Sequence, residues 1–195
     1  MTSQRTQKAA VLSGLVAVVS FLVLYMIAMS LDSTYVFGKN YLSDLGVSDG
    51  AWAFNAALIL TGLLLMPFSV LGLGPALGDT KWALIGKIVL AIAALFLVSI
   101  GLFTEDAGDI HGVVSYGFFL TMLVAFVFVA LALHKTQYLG QSGYGFTLLV
   151  FVFGLILLPM GGDPLSETVA VLGIIVWGLV MVCLLLLKMS GKSIP

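Results

Sequence analysis

Apolar residues along this chain fall into six long blocks, each apolar on every side rather than along one stripe. A helix at a protein surface keeps a polar face, whereas a helix apolar all round is buried in protein or in lipid. The blocks are Ala9–Leu31, Trp52–Leu77, Ala83–Phe103, Gly112–Leu133, Tyr144–Met160 and Thr168–Leu187. Each meets or approaches the roughly 20 apolar residues that a membrane-spanning helix requires. Short polar stretches rich in Gly, Pro, Asp and Ser separate them, the punctuation that ends helices. The pattern predicts an all-α polytopic membrane protein, a bundle of six transmembrane helices with short loops, forming one transmembrane domain over residues 1–195. Pro67 is expected to kink the second span, and Gly72-Leu73-Gly74-Pro75 to loosen its end. Pro159 sits at the end of the fifth span. Asp163-Pro164 reads as an N-cap followed by proline at the first helical position of the sixth.

Composition agrees with this pattern. Hydrophobic residues make up 61% of the 195 and charged residues 9%, against about 45–50% and ~25% in a soluble domain. The mean hydropathy is +1.19. A soluble enzyme, a disordered linker and a disulfide scaffold are excluded, and a net charge of −1 leaves no basic patch for nucleic acid. The single cysteine, Cys183, lies in an apolar run and reads as a small packing residue. Ala28-Met29-Ser30 has a small-x-small pattern, but the apolar run before it exceeds the ~7–15 residues of a signal peptide core, so the first span is expected to stay. No internal repeat is evident.

Charge sets the expected orientation. Arg5, Lys8, Lys81, Lys87, Lys135, Lys188 and Lys192 fall on one side of a six-span path, and Lys39 alone on the other. The positive-inside rule then puts both termini in the cytoplasm of a cell membrane. Asp32, Asp44, Asp49, Glu105, Asp106, Asp109, Asp163 and Glu167 all fall on the opposite, extracytoplasmic side, with Asp79 the exception.

Ionisable groups in mid-membrane mark ion paths and proton relays. The six spans contain no Asp, Glu, His or Arg, and Lys87 lies close enough to an end to snorkel. This argues against a proton-coupled transporter, a redox pump and a voltage sensor. Ser20, Ser30, Thr61, Ser69, Ser99, Ser115 and Thr121 suit hydrogen bonds to the backbone or between helices, and Ala10 with Gly14 makes a small-xxx-small pair. Asn55, one turn into the second span, is harder to satisfy. His111 and His134 bracket the fourth span about 34 Å apart at 1.5 Å per residue, so they cannot share a haem or zinc within one subunit. His134 with Lys135 reads as a pair of cations at a helix C-terminus.

The acidic end remains the candidate site. Phe103-Thr104-Glu105-Asp106-Ala107-Gly108-Asp109-Ile110-His111 gathers three carboxylates and a histidine. Asp109 is expected to cap the fourth span, with His111 in its first turn and Ser115 one turn below on the same face. The first loop adds Ser43 and Asp44, and the last adds Asp163 and Glu167. If these converge, Asp44, Glu105 and His111 offer ligands to a divalent cation. The alternative is that the carboxylates only solvate loops and cap helices. Zinc hydrolase chemistry usually needs several His or Cys ligands, which this end lacks.

Tyr41-Leu42-Ser43-Asp44-Leu45-Gly46, then Ala53-Phe54-Asn55 opening the next span, then Gly62, form an ordered set. Gly101-Leu102-Phe103, an acidic loop, His111, and Glu167 ahead of Trp177 extend it. Together they resemble the archaeal and bacterial membrane proteins catalogued as domain of unknown function 998. The resemblance covers nearly the whole chain and implies six transmembrane helices, with no established activity to carry over. Thr104 stands where a proline is expected after Phe103. The matching polar positions are Ser43, Asp44, Asn55, Glu105, Asp106, His111 and Glu167, all at the same end.

Three functions follow as expectations. In the first, the end binds a lipid headgroup, cation or small solute, with Asp44 and His111 central and Asn55, Glu105, Asp106, Glu167 and Trp177 as further contacts. In the second, the protein is a lipid hydrolase with His111 as base, Asp44 or Glu105 as orienter or metal ligand, and Ser43 as nucleophile if it reaches His111. In the third it is a structural subunit of a larger membrane complex. The bilayer is the one certain partner, and no oligomeric state follows.

Overall fold

A computed structural model describes residues 3–157 and 163–194. The helices are α1 (Gln4–Leu31), α2 (Ala51–Pro67), a short α3 (Gly74–Leu77), α4 (Lys81–Leu102), α5 (Asp109–Thr136), α6 (Gly140–Leu157) and α7 (Pro164–Met189). All but α3 are long and apolar enough to cross a membrane, α2 together with the wide turn that follows it. The six-span, all-helical expectation holds. Met160 and Pro159, the expected end of the fifth span, lie outside the described residues.

The helix ends differ from the hydropathy boundaries because capping chemistry, not hydrophobicity, sets them. Ser3 accepts a hydrogen bond from the Thr6 N–H, so α1 begins five residues before the apolar block. Asp163 accepts from the Leu165 and Ser166 N–H groups, with Pro164 in the first turn, as expected of that pair. The Asp109 expectation is corrected: Gly108, at φ +61°, takes the cap position and Asp109 is already helical. The tight turn Glu105–Ala107 ends on that glycine, which adopts the left-handed conformation with little penalty. Beyond Pro67, which has no N–H to give, α2 opens into a π-helical turn over Phe68–Gly72 before α3.

The long helices form a closed ring in the order α1, α2, α4, α5, α6, α7, with α7 returning to α1. The α1–α2, α2–α4 and α4–α5 contacts are extensive; the two made by α7 are the slightest of the ring. Small residues permit the close approaches. A Cβ on Gly62 would lie 2.6 Å from the Ala94 carbonyl oxygen, and one on Gly101 2.8 Å from that of Asn55, so α2 and α4 meet backbone to backbone. Phe126 and Trp177 meet edge to face at 5.0 Å between ring centres, joining α5 to α7. Larger aliphatics such as Val16, Leu63, Leu95, Val113 and Leu149 point outward. Cys183, read as a small packing residue, lies exposed on this outer face. Lipid solvates apolar surface as well as protein does, so hydrophobicity alone does not tell a residue which way to face.

Candidate functional site

The site forms at the end of the ring opposite the termini, where the first loop and the α4–α5 turn meet the first turns of α5 and α7. The first loop is folded on itself by Asp44. Its Oδ2 accepts from the Tyr41 N–H at 3.0 Å and from the Asn40 amide at 3.1 Å. A 3₁₀ turn over Ser43–Val47 follows. Across the ring, Glu167 in the first turn of α7 accepts the Leu42 N–H at 2.8 Å, a contact spanning 125 residues of sequence. That bond pins the loop over the end of the bundle, and hydrogen bonds to a carboxylate are among the stronger neutral-to-charged contacts.

His111 is held from both ring nitrogens. Its Nδ1 lies 2.8 Å from the Phe103 carbonyl oxygen, and its Nε2 3.3 Å from Ser115 Oγ. A carbonyl only accepts, so Nδ1 carries a proton and the neutral ring offers Nε2 as acceptor to the Ser115 hydroxyl. The first-turn placement and the Ser115 neighbour agree with the i, i+4 spacing. The Phe103 contact arises because the turn at Glu105–Ala107 brings the end of α4 back against α5.

Glu105 hydrogen-bonds Asp44, joining the two acidic stretches. Burial, then the Asp44 charge and that hydrogen bond, raise the Glu105 carboxyl above its ordinary range, while His111 opposes the rise. Beside them, the Tyr25 and Tyr35 hydroxyls pair at 3.4 Å. Burial first, then the contact with Tyr25 and the charges of Glu167 and Asp44, push the Tyr35 phenol up. Sequence reasoning did not find this tyrosine pair, since nothing in the local pattern links the last turns of α1 to the loop that follows.

Not every expected residue joins the site. Asn55 donates its amide to the Gly46 carbonyl at 2.9 Å and so braces the first loop onto α2. Asp106 is exposed and accepts from the Thr104 hydroxyl beside it. Trp177 is buried deep in the ring, its indole N–H donating to Thr147 Oγ1 at 3.0 Å. Ser43 lines a cavity with His111 but makes no hydrogen bond to it; the hydroxyl at the imidazole is that of Ser115. Among the described residues no three His, Cys, Asp or Glu side chains converge as a metal-ligand set.

Two cavities meet here. One, of about 100 Å³, runs into the centre of the ring from Ser43, His111, Ser115 and Glu167 to Phe68, Ser69 and Trp177. The other, of about 220 Å³, runs between α5, α6 and α7 from Tyr41 and Glu167 past Phe119, Leu123 and Phe153 to Phe126 and Val150. His111, Ser115 and Glu167 border both. Below those polar groups the walls are almost wholly aliphatic and aromatic. The arrangement is a small polar head compartment above two apolar channels.

No curated protein and no solved structure matches the chain. A family does, over residues 15–189, and its span takes in the first loop, His111, Glu167 and every long helix except the first turns of α1. The chain therefore belongs to the family described as protein of unknown function (DUF998).

Proposed function

We propose that this protein binds a membrane amphiphile, its polar head among His111, Ser115 and Glu167 and a hydrocarbon chain in the cleft between α5, α6 and α7. The observation that carries this reading is the meeting of two apolar cavities at one small cluster of polar side chains. A site for a water-soluble solute or a bare cation has no use for the long apolar lining beneath it. Binding sites between helices of a bundle commonly combine such a lining with a few placed polar groups. The carboxylates of Asp44, Glu105 and Glu167 favour a head that donates hydrogen bonds or carries positive charge. The Lys and Arg distribution supports placing the termini in the cytoplasm of a cell membrane and the head compartment at its outer face.

The test is native mass spectrometry of the purified chain with its co-purifying lipids, joined to thermal unfolding with and without added lipid. The wild type is expected to retain lipid and to melt higher when lipid is supplied. His111→Ala is expected to assemble normally and lose most of that lipid-dependent rise. An equal rise in the variant removes His111 from the binding site and with it the reading.

A further inference from the structure

The serines and threonines of the spans show what a hydroxyl does by default in this bundle. Ser13, Ser20, Ser69 and Ser99 return theirs to a carbonyl three or four residues back, at 2.8–3.1 Å. Thr121 does so too. That is the ordinary way to satisfy a hydroxyl inside a membrane helix. Ser115 departs from it, pairing with the His111 side chain at 3.3 Å.

His111 is oriented for that pairing. With Nδ1–H committed to the Phe103 carbonyl at 2.8 Å, the Nε2 lone pair is the only acceptor the neutral ring has, and it points at Ser115. A hydroxyl beside an imidazole whose far nitrogen is fixed by a third group is the constellation that activates a serine nucleophile. A backbone carbonyl plays the third part here.

Position adds to geometry. Ser115 and His111 border both cavities, one turn below the start of α5. The pair thus stands where the polar end of these cavities gives way to their apolar walls, and in an amphiphile the ester bonds lie at the corresponding junction of head and hydrocarbon chain. We propose that Ser115 and His111 are a nucleophile–base pair that hydrolyses an ester of an amphiphile bound in these cavities. The proposal rests on the amphiphile-binding reading for its substrate class, and adds a reaction to it.

The step balances with water as the only co-reactant. Ser115 Oγ attacks the ester carbonyl carbon, forming a C–O bond while its proton passes to His111 Nε2. The tetrahedral adduct collapses, the bond to the alcohol oxygen breaks, and that oxygen takes the proton from Nε2. Water then attacks the acyl–Ser115 ester, again giving a proton to Nε2, and the acid leaves as Ser115 recovers its proton. Throughout, the Phe103 carbonyl keeps the ring in place and accepts the Nδ1–H of the transient imidazolium.

A long-chain alkyl fluorophosphonate, which phosphonylates activated serines, is the probe. The full chain in lipid nanodiscs is treated with it and the modified peptide mapped by mass spectrometry. The expected result is a label on Ser115, absent in Ser115→Ala and formed about 100-fold or more slowly in His111→Gln. Glutamine retains an N–H for the Phe103 carbonyl and lacks the base, so a folded variant that reacts slowly separates catalysis from packing. Matching hydrolysis of a monoacyl ester, lost in both variants, completes the support. A label on Ser43, no label at all, or equal rates in His111→Gln overturns the pair. Lipid retained by a wild type that the probe fails to label overturns the hydrolase and leaves binding standing; a wild type that holds no lipid counts against binding itself.

Discussion

Glu105 and Asp44 come from segments 61 residues apart in the chain, and their carboxyl groups share a hydrogen bond. Burial first, then the neighbouring Asp44 charge, holds the Glu105 carboxyl above its ordinary range. A carboxyl whose folded-state value lies above its unfolded one binds its proton more tightly when folded. Its stabilising effect is complete at pH below the unfolded value and is lost as pH rises through the folded value. Glu105→Gln mimics the protonated side chain at every pH. Melting curves of both proteins from about pH 4 to 7 are expected to coincide at the acid end, with the wild type falling progressively below the variant toward neutrality. Parallel curves across that range exclude a raised Glu105 carboxyl.

What the sequence conveys at this scale depends on how far apart the partners lie. The His111–Ser115 pair is legible because helical periodicity puts i and i+4 on one face. The Phe103 carbonyl is not, because it needs the turn at Glu105–Ala107 to fold α4 back against α5, and backbone groups carry no sequence signature. Asn55 stands out as a polar side chain in apolar surroundings and Trp177 through the family pattern, so both look functional in the sequence. Each has its hydrogen bond to the Gly46 carbonyl or to Thr147 instead. A buried amide or indole needs a partner, whether or not it has a ligand.

Among elements, the number and order of the long helices follow from their apolar blocks, and the caps at Ser3 and Asp163 follow from side-chain chemistry. Which helices touch most closely does not, since 22 glycines distribute over spans and loops alike. Two of them separate the cases. At Gly62 an added Cβ would lie 2.6 Å from the Ala94 carbonyl oxygen and 3.0 Å from the Val98 nitrogen, backbone atoms of α4 that cannot turn aside. Gly62→Leu is expected to force α2 from α4 and to cost about 1–3 kcal/mol of stability, the usual range for overpacking. At Gly112 a Cβ meets nothing within 4 Å. There Gly112→Ala is expected to gain about 0.5–1 kcal/mol by limiting the unfolded chain without disturbing the folded one. Reversible unfolding in mixed micelles measures both, and like signs for the two variants contradict this account of the α2–α4 seam.

For the molecule as a whole, the ring is unequal around its circumference, and the inequality bears on function. The packing of α1, α2, α4 and α5 is broad and glycine-mediated, while α7 touches α6 and α1 more lightly, and the larger cavity opens beside it. If that cleft is merely loose packing, filling it improves the protein. If it holds a hydrocarbon chain, filling it competes with the ligand. Gly173 on α7 lines the cleft, and a Cβ there lies 3.6 Å from the Phe153 ring, ordinary contact with room beyond. Gly173→Phe therefore places a ring in the space with little strain on the helices. Its lipid-free form is expected to melt at or above the wild-type temperature, because new contacts replace a void. Its lipid content by native mass spectrometry is expected to fall to a small fraction of the wild type, although the head compartment at His111 and Glu167 is untouched. Undiminished lipid in a stable Gly173→Phe protein means that any bound chain lies elsewhere, along the central cavity or on the outer face, and the head and tail of the site must then be redrawn around α1 and α2.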